Sequence, residues 1–494
     1  MSKKVIIIGA GLGSLAAALR LTTKGYQVKI IEKHHQSGGR LNQLKKDGFT
    51  FDVGPSFYSM SYEFDELFKS CGIPNPIEKQ ELDPLYSVKF AHLDKPIIAY
   101  KDLALLQKEF GDLEPDFKRR AEKYLKKAAE IFHDTEKRVV KQNFDTILQY
   151  LLAVSKVPLK HLPKLFKTMW TELDNTFESE EAKVIFSLIS FFLGTTPFDT
   201  PAVYSLLNYT EFQHDGYWNV KGGMYKIVEH LETELRSRGV EFVFNSEITE
   251  VIEENNHLVS ITDQNGNSYS ADIFISNADA ASFRGKQLKR KAFSEEKLDK
   301  KKWSLAPFTI YLGVKGEVGN LIHHNFFLGS NFKEYADTIF KTTVIPEKPY
   351  YYVNVASKSN PEMAPPGHEN LFILCPVPDL RFKKSWKEKE AIAEGILKDL
   401  SKSIGFDLLA NKVTQTIYTP EDWESQFNLY RGSGLGLAHD MNQVGYFRPS
   451  NKDEKLKNMY YVGASTTPGT GLPIVVIGSK LVTDRIEKDY GIVR

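Results

Sequence analysis

Two glycine-rich stretches, one near each end of the chain, have the residue types and spacing of a site for a phosphorylated ligand. The first is Gly9-Ala10-Gly11-Leu12-Gly13-Ser14, and Glu32 follows it. Glycines let backbone N–H groups approach a pyrophosphate, and a carboxylate about twenty residues further on can bind ribose hydroxyls. This spacing predicts that the chain binds a dinucleotide. The alternative is a glycine-rich turn that holds no ligand.

The elements around the first stretch are those needed to position it. Residues 5–8 are a short β-branched run typical of a buried parallel strand, residues 15–24 are rich in Ala and Leu, and residues 27–31 form a second strand-like run. This order predicts a strand–helix–strand unit with the helix N-terminus directed at the phosphates. Ser14 stands where the motif usually has its third glycine, and we expect Gly13 to permit part of the close packing.

The second stretch is GASTTPGTGLP, residues 463–473. It lies between a strand-like run at 459–462 and a helix-like run at 474–486. We expect Gly469 and Gly471 to let the backbone pass close to the ligand, and Pro473 suits the first turn of the following helix. The positive end of that helix would then stabilise negative charge on the bound group. The alternative is a helix entry loop without a chemical role.

Length and composition restrict the remaining possibilities. A chain of 494 residues is expected to form two or three domains, and a net charge of +1 gives no general attraction to nucleic acid. Two cysteines, Cys71 and Cys375, cannot build a disulfide framework or a four-ligand zinc site, and we predict no metal site. No apolar run reaches the roughly 18 residues that would span a membrane. The 12% of aromatic residues fits either an apolar ligand or a Phe-rich core.

Further motifs give the chain a family resemblance. Lys33 follows Glu32, then come Gly38-Gly39-Arg40-Leu41 and Phe51-Asp52-Val53-Gly54-Pro55-Ser56. This pattern resembles the FAD-binding N-terminus of the phytoene desaturase-type carotenoid desaturases, which belong to the amine oxidase-like flavoprotein group. Residues 217–224, 276–279, 432–449 and 463–473 resemble later motifs of the same family, so the resemblance covers nearly the whole chain. The family commonly has His where Thr467 stands.

The resemblance implies non-covalently bound FAD and a set of residues that contact it. Ile248 stands where the family contacts adenine through its backbone. The implied cofactor-binding residues are Gly9, Gly11, Leu12, Gly13, Glu32, Lys33, Gly39, Arg40, Gly54, Pro55, Ser56, Ile248, Asn277, Gly463, Ala464, Gly471, Pro473 and Ile474. A helix N-terminus at the N1–C2=O edge of the flavin would favour hydride acceptance at N5.

The predicted fold class is α/β, with a Rossmann-like FAD-binding domain built from residues 1–95, 220–285 and 426–494. The remaining chain is expected to form an α+β substrate domain. Its helical insert spans residues 96–219, and its mixed or antiparallel sheet spans residues 286–425. Strands are predicted at 308–314, 350–355 and 371–377.

Part of the helical insert has the composition of a membrane-surface helix. Lys160, Lys164 and Lys167 recur at helical spacing, among Leu165, Phe166, Met169 and Trp170. Lysines beside an apolar face indicate a helix lying in a membrane interface. The alternative is a buried helix whose lysines face water. We therefore expect a cytoplasmic protein, peripheral on the inner face of the cell membrane.

The activity implied by the resemblance is removal of two hydrogens from an acyclic carotenoid. Hydride would pass to flavin N5 and a proton would leave the adjacent carbon, with oxygen or a quinone as terminal electron acceptor. The 3,4-desaturation of a 1-hydroxycarotenoid is the expected reaction; alternatives are phytoene desaturation or another carotenoid oxidoreductase or isomerase activity. An amine oxidase and a non-enzymatic prenyl-protein escort are more remote. No catalytic residue is assigned. His214 and Asp215 are candidate bases, although a surface loop is the favoured interpretation of both.

Overall fold

The computed structural model describes residues 3–329, 331–339 and 350–491. The strands, in chain order, are β1 (Lys4–Ile8), β2 (Gln27–Ile31), β3 (Asn42–Lys46), β4 (Phe49–Val53), β5 (Tyr58–Ser59), β6 (Lys79–Glu81), β7 (Tyr86–Phe90), β8 (Ile97–Ala99), β9 (Tyr217–Val220), β10 (Glu241–Val243), β11 (Ile248–Glu254), β12 (His257–Asp263), β13 (Ser268–Tyr269), β14 (Ile273–Ser276), β15 (Ala306–Lys315), β16 (His324–Leu328), β17 (Tyr351–Asn354), β18 (His368–Val377), β19 (Lys412–Tyr418) and β20 (Met459–Tyr461).

The α-helices include pieces of a single turn as well as long helices. They are α1 (Leu12–Thr23), α2 (Tyr62–Ser70), α3 (Leu103–Phe110), α4 (Phe117–Thr135), α5 (Ile147–Val154), α6 (Pro163–Phe166), α7 (Met169–Asp174), α8 (Glu180–Ser187), α9 (Ile189–Phe192), α10 (Leu206–Tyr209), α11 (Lys226–Ser237), α12 (Glu295–Asp299), α13 (Phe332–Thr338), α14 (Lys389–Ile404), α15 (Pro420–Phe427) and α16 (Leu472–Tyr490).

A parallel sheet in the order β10-β2-β1-β14-β20 joins the two ends of the chain. Its central strands are buried on both faces, which explains why β1 reads as a continuous apolar run. Alternate side chains of β1 point to opposite faces. Ile7 packs with the cluster that includes α1 and α16, whereas Ile6 and Ile8 pack with Ile261 and Phe274. The fold is therefore a mixed α/β fold with the predicted strand–helix–strand unit at its N-terminus.

A second, mixed sheet has the order β19-β15-β18-β17-β16-β7-β8. Neighbouring strands are antiparallel, except that β16 and β7 run parallel. The strands predicted at 308–314, 350–355 and 371–377 correspond to β15, β17 and β18. Strand β7 belongs to this sheet, although the predicted boundary of the first FAD-binding segment lies at residue 95. The domain boundaries stay a prediction, and their outermost residues, 1 and 494, lie outside the described residues.

The run from Lys160 to Trp170 does not form the single interfacial helix that its lysine spacing predicts. Helix α6 ends after one turn because Lys167 is extended, with φ −101° and ψ 148°. Thr168 then caps α7 through its side chain. As a result Met169 is fully buried and Trp170 packs against Phe198, with ring centroids 4.8 Å apart. Across the described parts of the chain, no helix combines the length and the apolar character required to cross a bilayer.

Candidate functional site

One large cavity, of about 920 Å³, extends between the parallel sheet and the mixed sheet. Every residue that the sequence predicts to bind the cofactor lines this cavity. They are Gly9, Gly11, Leu12, Gly13, Glu32, Lys33, Gly39, Arg40, Gly54, Pro55, Ser56, Ile248, Asn277, Gly463, Ala464, Gly471, Pro473 and Ile474. Residues from three distant parts of the chain thus meet in a single cleft.

Asn277, directly after β14, connects the first glycine stretch with the last strand. Its Nδ2 donates to the carbonyl oxygen of Val462 at 2.9 Å. Its Oδ1 lies 2.1 Å from the position that a Cβ at Gly11 would occupy. A Cβ at Gly13 would meet Val475 of α16 at 2.8 Å. A side chain at either position would displace a neighbouring side chain, Asn277 or Val475, and Gly13 supplies the close helix packing that was expected of it.

Ser14 is fully buried, and among the described residues its hydroxyl has no hydrogen-bond partner. The small side chain fits the packed interior where the motif usually has a third glycine. Its buried hydroxyl contributes no visible contact to the cavity wall.

Glu32 directly follows β2, and its carboxylate faces the glycine stretch. Its Oε2 accepts from the backbone N–H of Ala10 at 2.6 Å, and its Oε1 accepts from the N–H of His34 at 2.9 Å. Only 5% of the residue is exposed, yet it lines the cavity. Each carboxylate oxygen has a second lone pair. Glu32 can therefore support the glycine loop and still accept from a ribose hydroxyl.

The Gly38-Gly39-Arg40 segment lies against the same loop. The N–H of Gly38 donates to the carbonyl oxygen of Ala10 at 2.8 Å, and a Cβ at Gly39 would lie 3.3 Å from the Cα of Gly11. Arg40 donates to the carbonyl oxygen of Gly434 at 2.9 Å. Burial lowers the pKa of Arg40 and raises the pKa of Asp279, while the two opposite charges partly offset these shifts. Both side chains line the cavity.

Asp52 explains why two separate motifs occur together. Its carboxylate accepts from the N–H groups of Met224 at 2.8 Å and Tyr225 at 3.1 Å, just before α11 begins. A Cβ at Gly223 would lie 3.1 Å from both carboxylate oxygens. Burial raises the pKa of Asp52 to about 6, and the two N–H donors oppose that shift. Asp52 therefore acts as a structural acceptor behind the wall that Gly54, Pro55 and Ser56 present to the cavity.

Two helix N-termini open into the cavity without a capping side chain. Gly11 precedes α1 and Gly471 precedes α16, and neither helix has an acidic residue in its first turn. The first N–H groups of a helix lack partners within the helix and carry partial positive charge. Helices α1 and α16 also pack against each other. The site is therefore suited to a ligand with two negatively charged or strongly accepting groups.

His439 is a cavity residue that the sequence did not single out. Its Nδ1 lies 3.3 Å from the carbonyl oxygen of Leu193, so this nitrogen must be the donor. Its Nε2 then accepts from the N–H of Thr470 at 3.4 Å. Burial, aided by the nearby Arg448, holds the pKa of His439 well below its usual range. A Cβ at Gly469 would lie 2.0 Å from Nε2, so Gly469 accommodates His439 rather than a ligand.

The part of the cavity beyond Ser56 is strongly apolar. Its aromatic lining residues include Phe57, Phe191, Phe192, Phe326, Phe332, Tyr350 and Tyr352. His214 and Asp215 are not among the described residues that line it. Asp215 instead accepts from the backbone N–H of Ser61 at 2.6 Å and from its hydroxyl at 2.9 Å. The described residues also contain no group of three or more His, Cys, Asp or Glu side chains that could hold a metal ion.

The cavity reaches the protein surface next to α5 and α6. Four large apolar residues both line it and are exposed: Leu151, Leu159, Leu162 and Met441. Further exposed apolar side chains flank them, namely Leu148, Leu152, Phe166 and Phe447. We call these eight residues the apolar rim. An opening of this kind gives an apolar ligand a route to the interior that avoids polar surface.

The residues present fit FAD. The cavity has a volume of about 920 Å³, and uncapped helix N-termini meet it at two points. An acidic residue, Glu32, directly follows β2, where a ribose would lie. Cys71 and Cys375 are both buried and neither lines the cavity, so neither is placed to bond covalently to a cofactor there.

Comparison with known proteins supports the same assignment. A family model described as flavin containing amine oxidoreductase matches residues 15–486. The chain is 33% identical over 494 residues to a zeta-carotene-forming phytoene desaturase from Myxococcus xanthus, with 98% of this chain and 94% of the relative covered. It is 33% identical over 504 residues to a phytoene desaturase from Phycomyces blakesleeanus, covering 99% and 86%. A carotenoid 3,4-desaturase from Haloarcula japonica is 29% identical over 498 residues, with 98% of both chains covered.

Solved structures share the fold at much lower identity. An oxidoreductase from Methanosarcina mazei aligns with a TM-score of 0.61 at 17% identity, covering 97% of this chain and all of the other. A putrescine oxidase aligns with a TM-score of 0.64 at 13% identity, covering 99% of each chain. At such identities the similarity shows the fold alone.

Proposed function

Because the chain belongs to the flavin-containing amine oxidoreductase family and, within it, to the carotenoid desaturases, we propose that this FAD-dependent oxidoreductase removes two hydrogens from adjacent carbons of an acyclic carotenoid. The single observation that carries the proposal is the continuity of the cavity. One cleft joins the glycine loops to a long aromatic chamber that opens at the apolar rim.

The proposed cofactor site uses the eighteen lining residues predicted from the sequence. The adenosine end would lie by Glu32 and Ile248, the pyrophosphate at the N-terminus of α1, and the flavin beside the loop that precedes α16. When bound, FAD supplies a hydride acceptor at N5. The uncapped N-terminus of α16 supports this placement, because its partial positive charge stabilises negative charge gained on reduction.

The chain's own contribution is to position the polyene and exclude water. Aromatic walls bury a conjugated chain without offering a nucleophile, and loss of a hydride leaves a cation that conjugation spreads over many carbons. The adjacent proton then becomes acidic, so the reaction does not require a strong base. This fits the positions of His214 and Asp215, which are not among the described residues that line the cavity. Proximity and orientation are then the main contributions of the protein.

Two desaturation reactions are candidates for this protein. The family resemblance implies 3,4-desaturation of a 1-hydroxycarotenoid, and the Haloarcula japonica relative is named a carotenoid 3,4-desaturase. The two relatives at 33% identity are named phytoene desaturases. We therefore propose phytoene as the first substrate to assay and the 1-hydroxycarotenoid as the second.

Product analysis tests both reactions directly. Purified FAD-loaded protein is incubated with liposomes that contain phytoene or a 1-hydroxylated acyclic carotenoid, with a quinone or oxygen present. Desaturation of either lengthens the conjugated chromophore and removes hydrogens in pairs, which chromatography with mass detection records. Failure to convert any acyclic carotenoid, together with oxidation of an amine, would replace the proposal with an amine oxidase activity.

We further propose that the substrate enters from a lipid surface at the apolar rim. Leu159 is 78% exposed and Phe166 is 80% exposed, and Lys156, Lys160 and Lys167 lie exposed nearby. Transfer of such side chains from water contributes roughly 1.5–3 kcal/mol each when complete, and each lysine adds about 1 kcal/mol near anionic lipid. The sum supports reversible, salt-sensitive binding to the inner face of a membrane.

A further inference from the structure

Arg448 is a fully buried cation held almost entirely by backbone carbonyl groups. Only 2% of the surface of Arg448 is exposed. The guanidinium donates through Nε to Thr466 at 3.1 Å and through Nη2 to Ala464 at 2.5 Å. Its remaining donors reach the carbonyl oxygens of Leu437 at 3.0 Å, Gln443 at 3.2 Å and Ala438 at 3.5 Å. It therefore ties the loop before α16 to the segment that carries His439.

No carboxylate neutralises Arg448 among its hydrogen-bond partners in the described chain. Burial lowers the pKa of Arg448 to about 10, so the side chain stays cationic at neutral pH. The titratable groups packed near it are Tyr204, whose pKa burial raises, and His439, whose pKa burial lowers. Asp440 pairs with Lys302 at 3.2 Å. A buried charge without a counterion is costly, so its position calls for a compensating function.

Asp279, an acid that contacts the loop at residues 464–466, already has Arg40 as its opposite charge. Asp279 lies 3.5 Å from the hydroxyl of Ser465 and shares the cavity wall with Arg40. The two opposite charges stabilise each other's ionised forms. The positive charge of Arg448 is thus left to act on whatever occupies the cavity beside Ala464, Ser465 and Thr466, all of which line it.

We propose that Arg448 is a positioning residue for the flavin, which holds the loop at 464–466 and whose uncompensated charge favours the reduced form of the cofactor. This inference rests on the proposed placement of the flavin beside that loop. A hydride adds negative charge to the ring, and a fixed cation behind the cavity wall stabilises that charge in a low-dielectric site. The carbonyl contacts fix the cation in place without cancelling it, which a carboxylate partner would do.

The test is the flavin reduction potential of full-length, FAD-loaded variants, measured at pH 6 against a reference dye. Arg448→Gln is expected to weaken the preference for reduced flavin at least tenfold, which corresponds to about 30 mV for a two-electron couple. Arg448→Lys keeps a cation but loses most of the carbonyl contacts. Its preference for reduced flavin is expected to stay within threefold of that of the parent, while its affinity for FAD falls.

Other outcomes overturn the inference. A purely structural role predicts equal potential shifts in the Lys and Gln variants, or loss of FAD with no shift. If the Gln variant does not fold, a Lys variant whose preference for reduced flavin falls tenfold, or by about 30 mV in potential, still contradicts the role of the charge. Arg290→Gln is the matched control, because this buried guanidinium pairs with Asp453 and Glu253, both at 3.0 Å, and should leave the potential unchanged.

Failure of this inference is distinguishable from failure of the proposed function. A parent protein that binds no FAD removes the proposed function. A parent that binds FAD and converts carotenoids, with a potential insensitive to Arg448→Gln, removes the inference alone.

Discussion

Asn277 holds Val462 by a hydrogen bond of 2.9 Å from its Nδ2 to the carbonyl oxygen. The same side chain presents Oδ1 to Gly11, at 2.1 Å from the place of a Cβ. The side-chain amide of Asn277 thus adds a direct link between the first glycine loop and the end of β20, beside the backbone pairing of β1, β14 and β20. The contact therefore joins all three segments that line the cofactor end of the cavity.

Gly11→Ala is therefore expected to lower the affinity for FAD mainly because the new methyl group would collide with Oδ1 of Asn277. Overpacking of this kind typically costs about 1–3 kcal/mol, and the loop must move to relieve it. In a Gly11→Ala/Asn277→Ala double variant the clash disappears, so FAD titration by fluorescence should show a smaller loss than the sum of the single variants. Strictly additive losses would mean that the new methyl group blocks the cofactor itself.

Glu32→Gln is expected to raise the dissociation constant for FAD. The substitution removes a charge-assisted acceptor for the ribose and weakens support of the Ala10 N–H, at a cost of roughly 1.5–3 kcal/mol, or about 10- to 150-fold in affinity. Isothermal titration of apoprotein with FAD measures the change. Unaltered affinity would show that the ribose lies elsewhere. Glu250→Gln, an exposed acid on β11, serves as the control.

The cofactor end of the site was predictable because its signals are local in sequence. Glycine spacing, the strand before it and Glu32 all lie within the first strand–helix–strand unit, and the corresponding elements are β1, α1 and β2. The role of Gly469 was not predictable. A side chain at this position would collide with His439, which lies 30 positions earlier in the chain. Nothing in the local sequence pattern identifies such a partner.

Gly469→Ala is expected to displace the loop before α16. The new Cβ would lie 2.0 Å from Nε2 of His439, and the backbone has φ +151°. FAD content and the melting temperature of the holoprotein should both fall. Adding His439→Ala relieves the contact, so the double variant should regain part of the FAD content. A double variant no better than Gly469→Ala alone would place the strain in the backbone instead.

Asp52 gives a specific pH dependence of stability. Burial raises its pKa from 3.8 to about 6, so between these values the folded chain holds the proton that the unfolded chain has released. The contribution of Asp52 to the free energy of unfolding therefore falls as pH rises from about 4 to about 6, by about 1.4 kcal/mol for each unit by which its pKa is raised. Above that range the contribution is constant.

Urea unfolding of the parent and of Asp52→Asn across this range isolates the effect. The difference in the free energy of unfolding, parent minus variant, should decrease from pH 4 to pH 6. A difference that is constant, or that grows with pH, would contradict the raised pKa.

Replacement of Leu159 and Phe166 by Ser is expected to weaken binding to anionic liposomes. Both side chains are exposed at the apolar rim, so their loss should leave the melting temperature nearly unchanged. Turnover of liposome-borne carotenoid should fall while turnover in detergent changes little. Ile252→Ser/Val413→Ser removes two other exposed apolar side chains, 49% and 48% exposed, and should bind liposomes like the parent. Equal binding by both double variants would rule out the rim as the lipid contact.

The rim itself illustrates the limit of sequence patterns. Lysine spacing predicted one helix through Trp170, but burial of Met169 and packing of Trp170 on Phe198 divide the run at Lys167. Tertiary packing overrides helical periodicity here, because the core gains more from these two side chains than the surface gains from a continuous helix. The exposed side chains Leu148 and Leu152 on α5 complete the surface, and they lie outside the predicted segment.

Anaerobic reduction of the bound flavin by substrate is the most direct test of whether this protein desaturates carotenoids. Purified FAD-loaded protein is mixed without oxygen or quinone with liposomes that contain phytoene or a 1-hydroxycarotenoid, and flavin absorbance is followed. We expect one of these carotenoids to bleach the flavin, with one new double bond formed per flavin reduced. A flavin that stays oxidised with both carotenoids but is bleached by an amine would contradict it.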